Sequence, residues 1–289
     1  MIKIIDPHLH LFNLEEGDYH WLKEGNPPFW PNKQLINRNF EQADLVLSAP
    51  LNLAGFIHIE AGFDNSKPER EIAWLENNCN LPFKSIAFAD ICSVEFQRQI
   101  QTLLQYKSFT GIRHILDEQA EHILANTNTL ANLKHLASLD LIFELQCDCS
   151  DLNVVKQLAT YLSVLPNLTI IINHYGATTN NNLSQKLKDG LSLLAKHQQC
   201  FIKCSGWEMR DNNWQVELLA PLVNSIISIF GEQRVMLASN FPLCLFRFSY
   251  LQLWQHYTNF SGFSNETVSK LCFENAAKVY KLKASINAG

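Results

Sequence analysis

Eight short β-branched or aromatic runs recur along the 289 residues, several of them nearly all apolar, and this constrains the fold more than any other feature. Leu-Thr-Ile-Ile-Ile at 168–172 and Val-Met-Leu-Ala at 235–238 show it best. A strand with one wet face alternates apolar and polar residues. A strand covered on both faces reads as a continuous apolar run, which is the habit of parallel sheets. The runs predict strands at Lys3–Asp6, Gly55–Ile59, Ser85–Ala89, Gly111–Ile115, Leu141–Gln146, Leu168–Asn173, Cys200–Cys204 and Val235–Ala238.

Helical patterns lie between them. Phe96, Ile100, Leu103 and Leu104 share one face of 92–106, and Val268, Leu271, Cys272 and Val279 share a face of the last helix, which Ser264 or Asn265 can cap. After the first strand the repeat is about thirty residues, the size of a βα unit. Eight such alternations without a Pro/Gly/Ser-rich linker predict one α/β domain over 1–289, a (β/α)8 TIM barrel. A doubly wound open sheet is the alternative, disfavoured because neither GxGxxG nor GxxxxGK[ST] is present. The first βα connection breaks the rhythm. Residues 11–40 form a long loop holding Tyr19, Trp21, Phe29 and Trp30 among Asn, Gly and Pro, at the barrel end where active sites are built. It reads as a substrate-facing lid, with Trp30 as a contact.

Composition excludes several classes of function. A net charge of −5 without a basic cluster gives no reason to expect nucleic acid or a membrane surface as partner. No apolar run reaches the roughly 18–20 residues that a membrane-spanning helix needs, and no leader precedes the first strand. The eight cysteines hold one CxC, Cys147 and Cys149, with no second pair to complete a zinc set, and read as reduced thiols. The expectation is a cytoplasmic protein acting on a small molecule. A homo-oligomer is left open.

Chemistry in such a barrel comes from the C-terminal ends of its strands. The first end gives Asp6, His8 and His10, which share one face while the chain stays extended. Two imidazoles so placed are either the edge of a metal site or an ordinary polar exit from a strand. The other ends give His58 and Glu60, Arg113 and His114, Glu144 and Gln146, Asn173 and His174, Lys203 and Ser205, and Ser239 and Asn240. Polar or ionisable groups at seven of eight ends are what an active site needs and a structural rim does not.

These motifs occur in a recognisable order. DPHLH, GIRH, INHYG, IKCSGW, MLASNFP and the closing helix KLCFENAAKVY resemble the amidohydrolase-2 group of the amidohydrolase superfamily, over Asp6 to Tyr280. Within that group they are similar to the predicted metal-dependent hydrolase branch that includes the 2-pyrone-4,6-dicarboxylate and L-fuconolactone lactonases. The resemblance implies a hydrolase that opens a small lactone or related cyclic ester. His8, His10, His174 and Asn240 stand at its catalytic positions. His58, Glu60, Arg113, His114, Gln146, Lys203 and Trp30 are the expected substrate-binding residues. Arg113 would anchor a carboxylate or hydroxyl and Lys203 would neutralise a developing oxyanion. Members of the branch differ over metal, so either one divalent ion, Zn or Mn, on His8, His10 and His174 is implied, or none.

Two positions depart from the family pattern. Asn240 stands where an aspartate takes the proton of the attacking water, and Asn173 stands where Asp-His-x-Gly is usual. An amide cannot accept a proton at neutral pH. The base then falls to a histidine, or to Glu60 or Asp6. Metal-dependent decarboxylation of an aromatic or unsaturated acid, and a catalytically degenerate small-molecule binder, are the alternatives.

Overall fold

The apolar runs pair as the pattern predicts. The computed structural model describes residues 1–177, 183–209 and 214–283. Its strands are β1 (Ile2–Leu9), β2 (Leu51–Ile59), β3 (Phe83–Phe88), β4 (Phe109–Ile115), β5 (Ile142–Gln146), β6 (Ile170–Ile172), β7 (Cys200–Cys204) and β8 (Val235–Leu237). They form one parallel sheet in chain order. The first and last strands meet at their C-terminal ends, where Leu9 bridges Phe241 and Asn240 N–H donates to the His8 carbonyl at 2.9 Å. Helices α1 (Glu69–Asn78), α2 (Phe96–Leu103), α3 (Ala120–Ala125), α4 (Thr127–Ser138), α5 (Leu152–Val164), α6 (Gln185–Ala195) and α7 (Leu219–Phe230) fill the connections after β2. α8 (Tyr250–Thr258), α9 (Asn265–Ser269) and α10 (Asn275–Val279) follow β8. This is a (β/α)8 barrel.

Local sequence explains the breaks. Ser264 caps α9 by accepting from Thr267 N–H, and α9 and α10 are the two halves of the predicted final helix, joined by a π-helical turn at Lys270–Glu274. Gly111 lets β4 approach β5, since a Cβ there would sit 2.4 Å from the Ile142 carbonyl oxygen.

Two cores result. The larger lies between sheet and helices. The smaller fills the barrel with Ile5, Ile57, Ile59, Ile86, Ile142, Ile171 and Met236, closed from the C-terminal segment by Ala276, Tyr280 and Leu282. Side chains alternate along a strand, so the inward residue two places beyond each apolar one comes next up the axis. Ile142 is followed by Glu144, Ile171 by Asn173, and Phe201 by Lys203. An apolar floor thus gives way to a buried polar layer.

Asp6 fastens the β1–β8 seam. Its carboxylate accepts from Ser239 Oγ at 2.5 Å, Ser239 N–H at 3.1 Å, His8 N–H at 3.2 Å and Tyr250 Oη at 3.1 Å. Burial nevertheless pushes its carboxyl up from 3.8 to about 6, against those hydrogen bonds. A folded value raised above the unfolded one stabilises the fold below pH ~4, a contribution of about 3 kcal/mol that is lost as pH rises through 6. In urea titrations, the stability of wild type relative to Asp6→Asn should therefore fall by about that amount between pH 4 and 6.5. A flat difference would contradict this linkage.

Candidate active site

A cavity of about 750 Å³ opens at the C-terminal end of the strands. Its floor is His10, Glu60, Arg113, Gln146, His174 and Asn240, and its upper wall includes Trp21, Pro27, Pro28, Trp30, Met209 and Leu243. The volume falls in the range of small-molecule sites, and the mixture of an apolar wall with a few convergent polar groups is their usual build.

The wall is fixed by the loop itself. Lys33 is buried and its ammonium donates to the carbonyls of Trp21 at 2.8 Å, Lys23 at 3.2 Å and Asn26 at 2.6 Å. Trp21 Nε1 donates to Ala61 O at 2.7 Å, and the Trp30 ring packs edge-on against Trp21 and Phe246. The predicted lid is therefore a built wall, pinned to the end of β2.

Three imidazoles meet at the bottom, with the His8 ring centroid 5.1 Å from His10 and 4.6 Å from His174. His10 Nδ1 lies 2.8 Å from the Ile59 carbonyl. A carbonyl can only accept, so Nδ1 carries the proton and Nε2 keeps its lone pair. Burial first, then the Arg113 charge, holds His10 well below the ordinary imidazole range, and burial with Lys203 does the same for His8. His174 Nδ1 is 2.9 Å from Ser205 Oγ. Gly206 makes room for it: its φ is +74°, and a Cβ there would sit 2.6 Å from His174 Nδ1. His174, Tyr175 and Asn240 also have left-handed backbone, with φ of 50°, 46° and 54°. Such strained conformations concentrate at functional sites.

The other predicted residues separate. Arg113 lies on the floor but spends Nε on Glu60 Oε1 and Nη2 on the Glu60 carbonyl, both at 2.7 Å, which leaves a neutralised pair rather than a free cation. His114 and Gln146 line the cavity. His58 turns outward, donating from Nε2 to Glu71 at 3.0 Å and accepting Leu11 N–H at Nδ1. Lys203 is fully buried below the histidines, ion-paired with Glu144 at 2.7 Å. Burial pulls its ammonium down to about 8 while Glu144 opposes, so the charge persists at neutral pH. Glu144 also accepts from Tyr280 Oη and Asn173 Nδ2.

Sequence reading missed Asp117, Glu118, Met209 and Leu243 in the lining, and two residues that bear on the chemistry more directly. Glu208 accepts from Asn240 Nδ2 at 2.5 Å, placing a buried carboxylate beside the amide. Trp21 lines the wall with Trp30. Only the aromatic density of the loop signalled Trp21, and nothing local signalled Glu208.

A barrel with a histidine-rich pocket at its C-terminal mouth is the architecture of a small-molecule enzyme. The amidohydrolase-2 family model matches residues 5–282, and the chain belongs to that family. The uncharacterised protein y4mH of Sinorhizobium fredii is 29% identical, over 97% of this chain and 99% of its own length. An amidohydrolase of Burkholderia multivorans with bound zinc superposes with a TM-score of 0.79 at 16% identity, covering 97% of this chain and 99% of that one. A candidate 2-pyrone-4,6-dicarboxylic acid hydrolase of Pseudomonas putida superposes with a TM-score of 0.73 at 17% identity, covering 97% and 98%.

The donor set here does not fit a divalent ion. Among the described residues no three His, Cys, Asp or Glu side chains converge on a point that could hold one. Glu144 is tied to Lys203, Asn240 offers an amide, and the Lys203 ammonium stands 3.5 Å from His8 Nδ1. A cation beside a ligating ring opposes a second cation on it.

If Lys33 pins the wall, Lys33→Met should lower stability by about 2–3 kcal/mol in urea melts, the scale of hydrogen bonds from a charged donor. KM for any substrate should rise more than kcat falls. An unchanged melt would show that the three carbonyl contacts contribute little.

Proposed function

We propose that this protein opens a small, uncharged lactone by attack of water at the barrel mouth. The observation that supports it most is the floor of the cavity, where His10 presents an unprotonated Nε2 next to Asn240 beneath an aromatic wall. Asn240 orients the water, and His10 takes its proton as the water oxygen bonds to the lactone carbonyl carbon. The carbonyl electron pair moves onto oxygen. When the tetrahedral intermediate collapses, the ring C–O bond breaks and His10 returns the proton to the leaving alkoxide. The product is a hydroxy acid. Imidazole can perform both transfers, which accommodates an amide at position 240.

Charge selects the substrate. Among the described residues the cavity is lined by Glu60, Asp117 and Glu118 and by one guanidinium, that of Arg113, itself committed to Glu60. That field disfavours a dicarboxylate and favours a neutral polyhydroxy lactone, whose apolar ring face suits Trp21 and Trp30. It also helps expel the anionic product.

Neutral sugar lactones and pyrone carboxylates, assayed side by side for acid release, test the reading. Neutral lactones should be turned over with kcat/KM at least about tenfold above the dianion. His10→Gln should reduce kcat by about 10²–10⁴, the usual contribution of a general base. Turnover of no lactone, or preference for the dianion, would overturn it.

A further inference from the structure

The cavity does not end at its aromatic wall. A second hollow, of about 320 Å³, is lined by Asp18, His20 and Asn26 together with Trp21, Pro27, Gly62 and Asn65. The last four line the main cavity as well, so they form a sill between the two spaces. The sill is held from behind. Trp21 Nε1 donates to Ala61 O at 2.7 Å, and the Lys33 ammonium bonds the backbone carbonyls of both Trp21 and Asn26, at 2.8 and 2.6 Å. The polar groups of the hollow are oriented too. The Asn26 amide nitrogen donates to the His20 carbonyl at 2.8 Å and stands 2.9 Å from His20 Nδ1. Nδ1 is therefore the acceptor, the ring hydrogen is on Nε2, and Asn26 Oδ1 is left as an acceptor. Asp18 is paired with Lys23 at 2.6 Å, which matches its charge.

We propose that this hollow is an outer subsite, and that the ligand of this protein carries a second, neutral polyhydroxy ring, as the lactone of a disaccharide acid does. That the inner ring is a lactone rests on the hydrolytic reading above. The main cavity, at about 750 Å³, has the size of sites that hold drug-sized ligands. One sugar ring leaves much of that space to water, whereas two rings joined by an ether oxygen reach across the sill. The chemistry of the hollow suits hydroxyl groups. His20 Nε2–H donates to one and Asn26 Oδ1 accepts from another, while the apolar face of the sugar lies against Trp21. An alkyl chain of similar length would strip water from the imidazole, amide and carboxylate groups without replacing its hydrogen bonds. The acidic lining of both spaces favours a neutral ring over a sugar acid. His20 touches no reacting atom in this arrangement. It selects the length of the ligand.

Cellobiitol, in which the lactone ring is replaced by an open alditol, tests the subsite without any reaction. Added to the intact protein, it should shift the ring 13C–1H signals of both Trp21 and His20, assigned with Trp21→Phe and His20→Ala. Sorbitol, which has no second ring, should leave His20 in place. Cellobiitol that moves Trp21 but not His20, or moves neither, overturns the proposal. In turnover, cellobionolactone should exceed gluconolactone in kcat/KM by about tenfold, mainly through KM, the scale of two net hydrogen bonds. His20→Ala, an exposed position, should bring that ratio close to one without changing the melting temperature. A ratio close to one in the wild-type protein, or its survival in His20→Ala, also overturns the proposal. So does a preference for a long-chain N-acylated aminolactone over cellobionolactone. If no lactone reacts while cellobiitol still shifts His20, the hydrolytic reading alone fails and the outer subsite stands.

Discussion

The buried carboxylate of Glu144 is the interaction on which much else depends. It stands one layer above the apolar floor and accepts from Lys203 on β7, Asn173 beyond β6 and Tyr280 from the C-terminal segment. One oxygen pair thus ties three strands to the plug that closes the barrel from below. Removing one partner of such a pair leaves an uncompensated charge in a low dielectric, typically a loss of about 3–5 kcal/mol. A hydrophobic layer of equal volume would hold the barrel as well or better. A charge at this depth is therefore better explained by what it holds in place, the Lys203 ammonium beneath His8.

Above that layer, geometry is set from two sides. The seam between β1 and β8 places His8, His10 and Asn240 together, because Asn240 N–H bonds the His8 carbonyl and Asp6 grips Ser239. The first loop sets the opposite wall. Its aromatic rings are held by a buried lysine that clasps three of the loop's own carbonyls. The result is a polar floor under an apolar roof.

Two carboxylates near the site stand behind amides. Where the family resemblance implies an acid at position 240, this chain has an amide that donates to Glu208 in the loop after β7. At position 173 an amide donates to Glu144. In both places the acid sits one residue contact further out, paired or hydrogen-bonded, and the cavity floor holds His10 and His174 beside Glu60, which is paired with Arg113. That arrangement suits proton transfer by histidine better than ligation of a hard cation.

Much of this was legible in the residues alone. Continuous apolar runs about thirty residues apart determine strands covered on both faces, hence a parallel barrel, and strand-end histidines follow from their place after those runs. Boundaries shifted where side chains were ambiguous: β1 runs on to Leu9, and β2 begins at Leu51. Partners were not legible. Period-two alternation says that His58 lies on a strand, but only packing shows that it faces Glu71 on α1 while Glu60 turns to the cavity. Sequence likewise places Arg113 and Lys203 at strand ends, yet only three-dimensional contact reveals that each is neutralised by a carboxylate 53 or 59 residues away. The reason is physical. Hydrophobic periodicity is a local property of the chain, whereas charge pairing, ring tautomer and cavity shape depend on atoms that only the closed barrel brings within hydrogen-bonding distance.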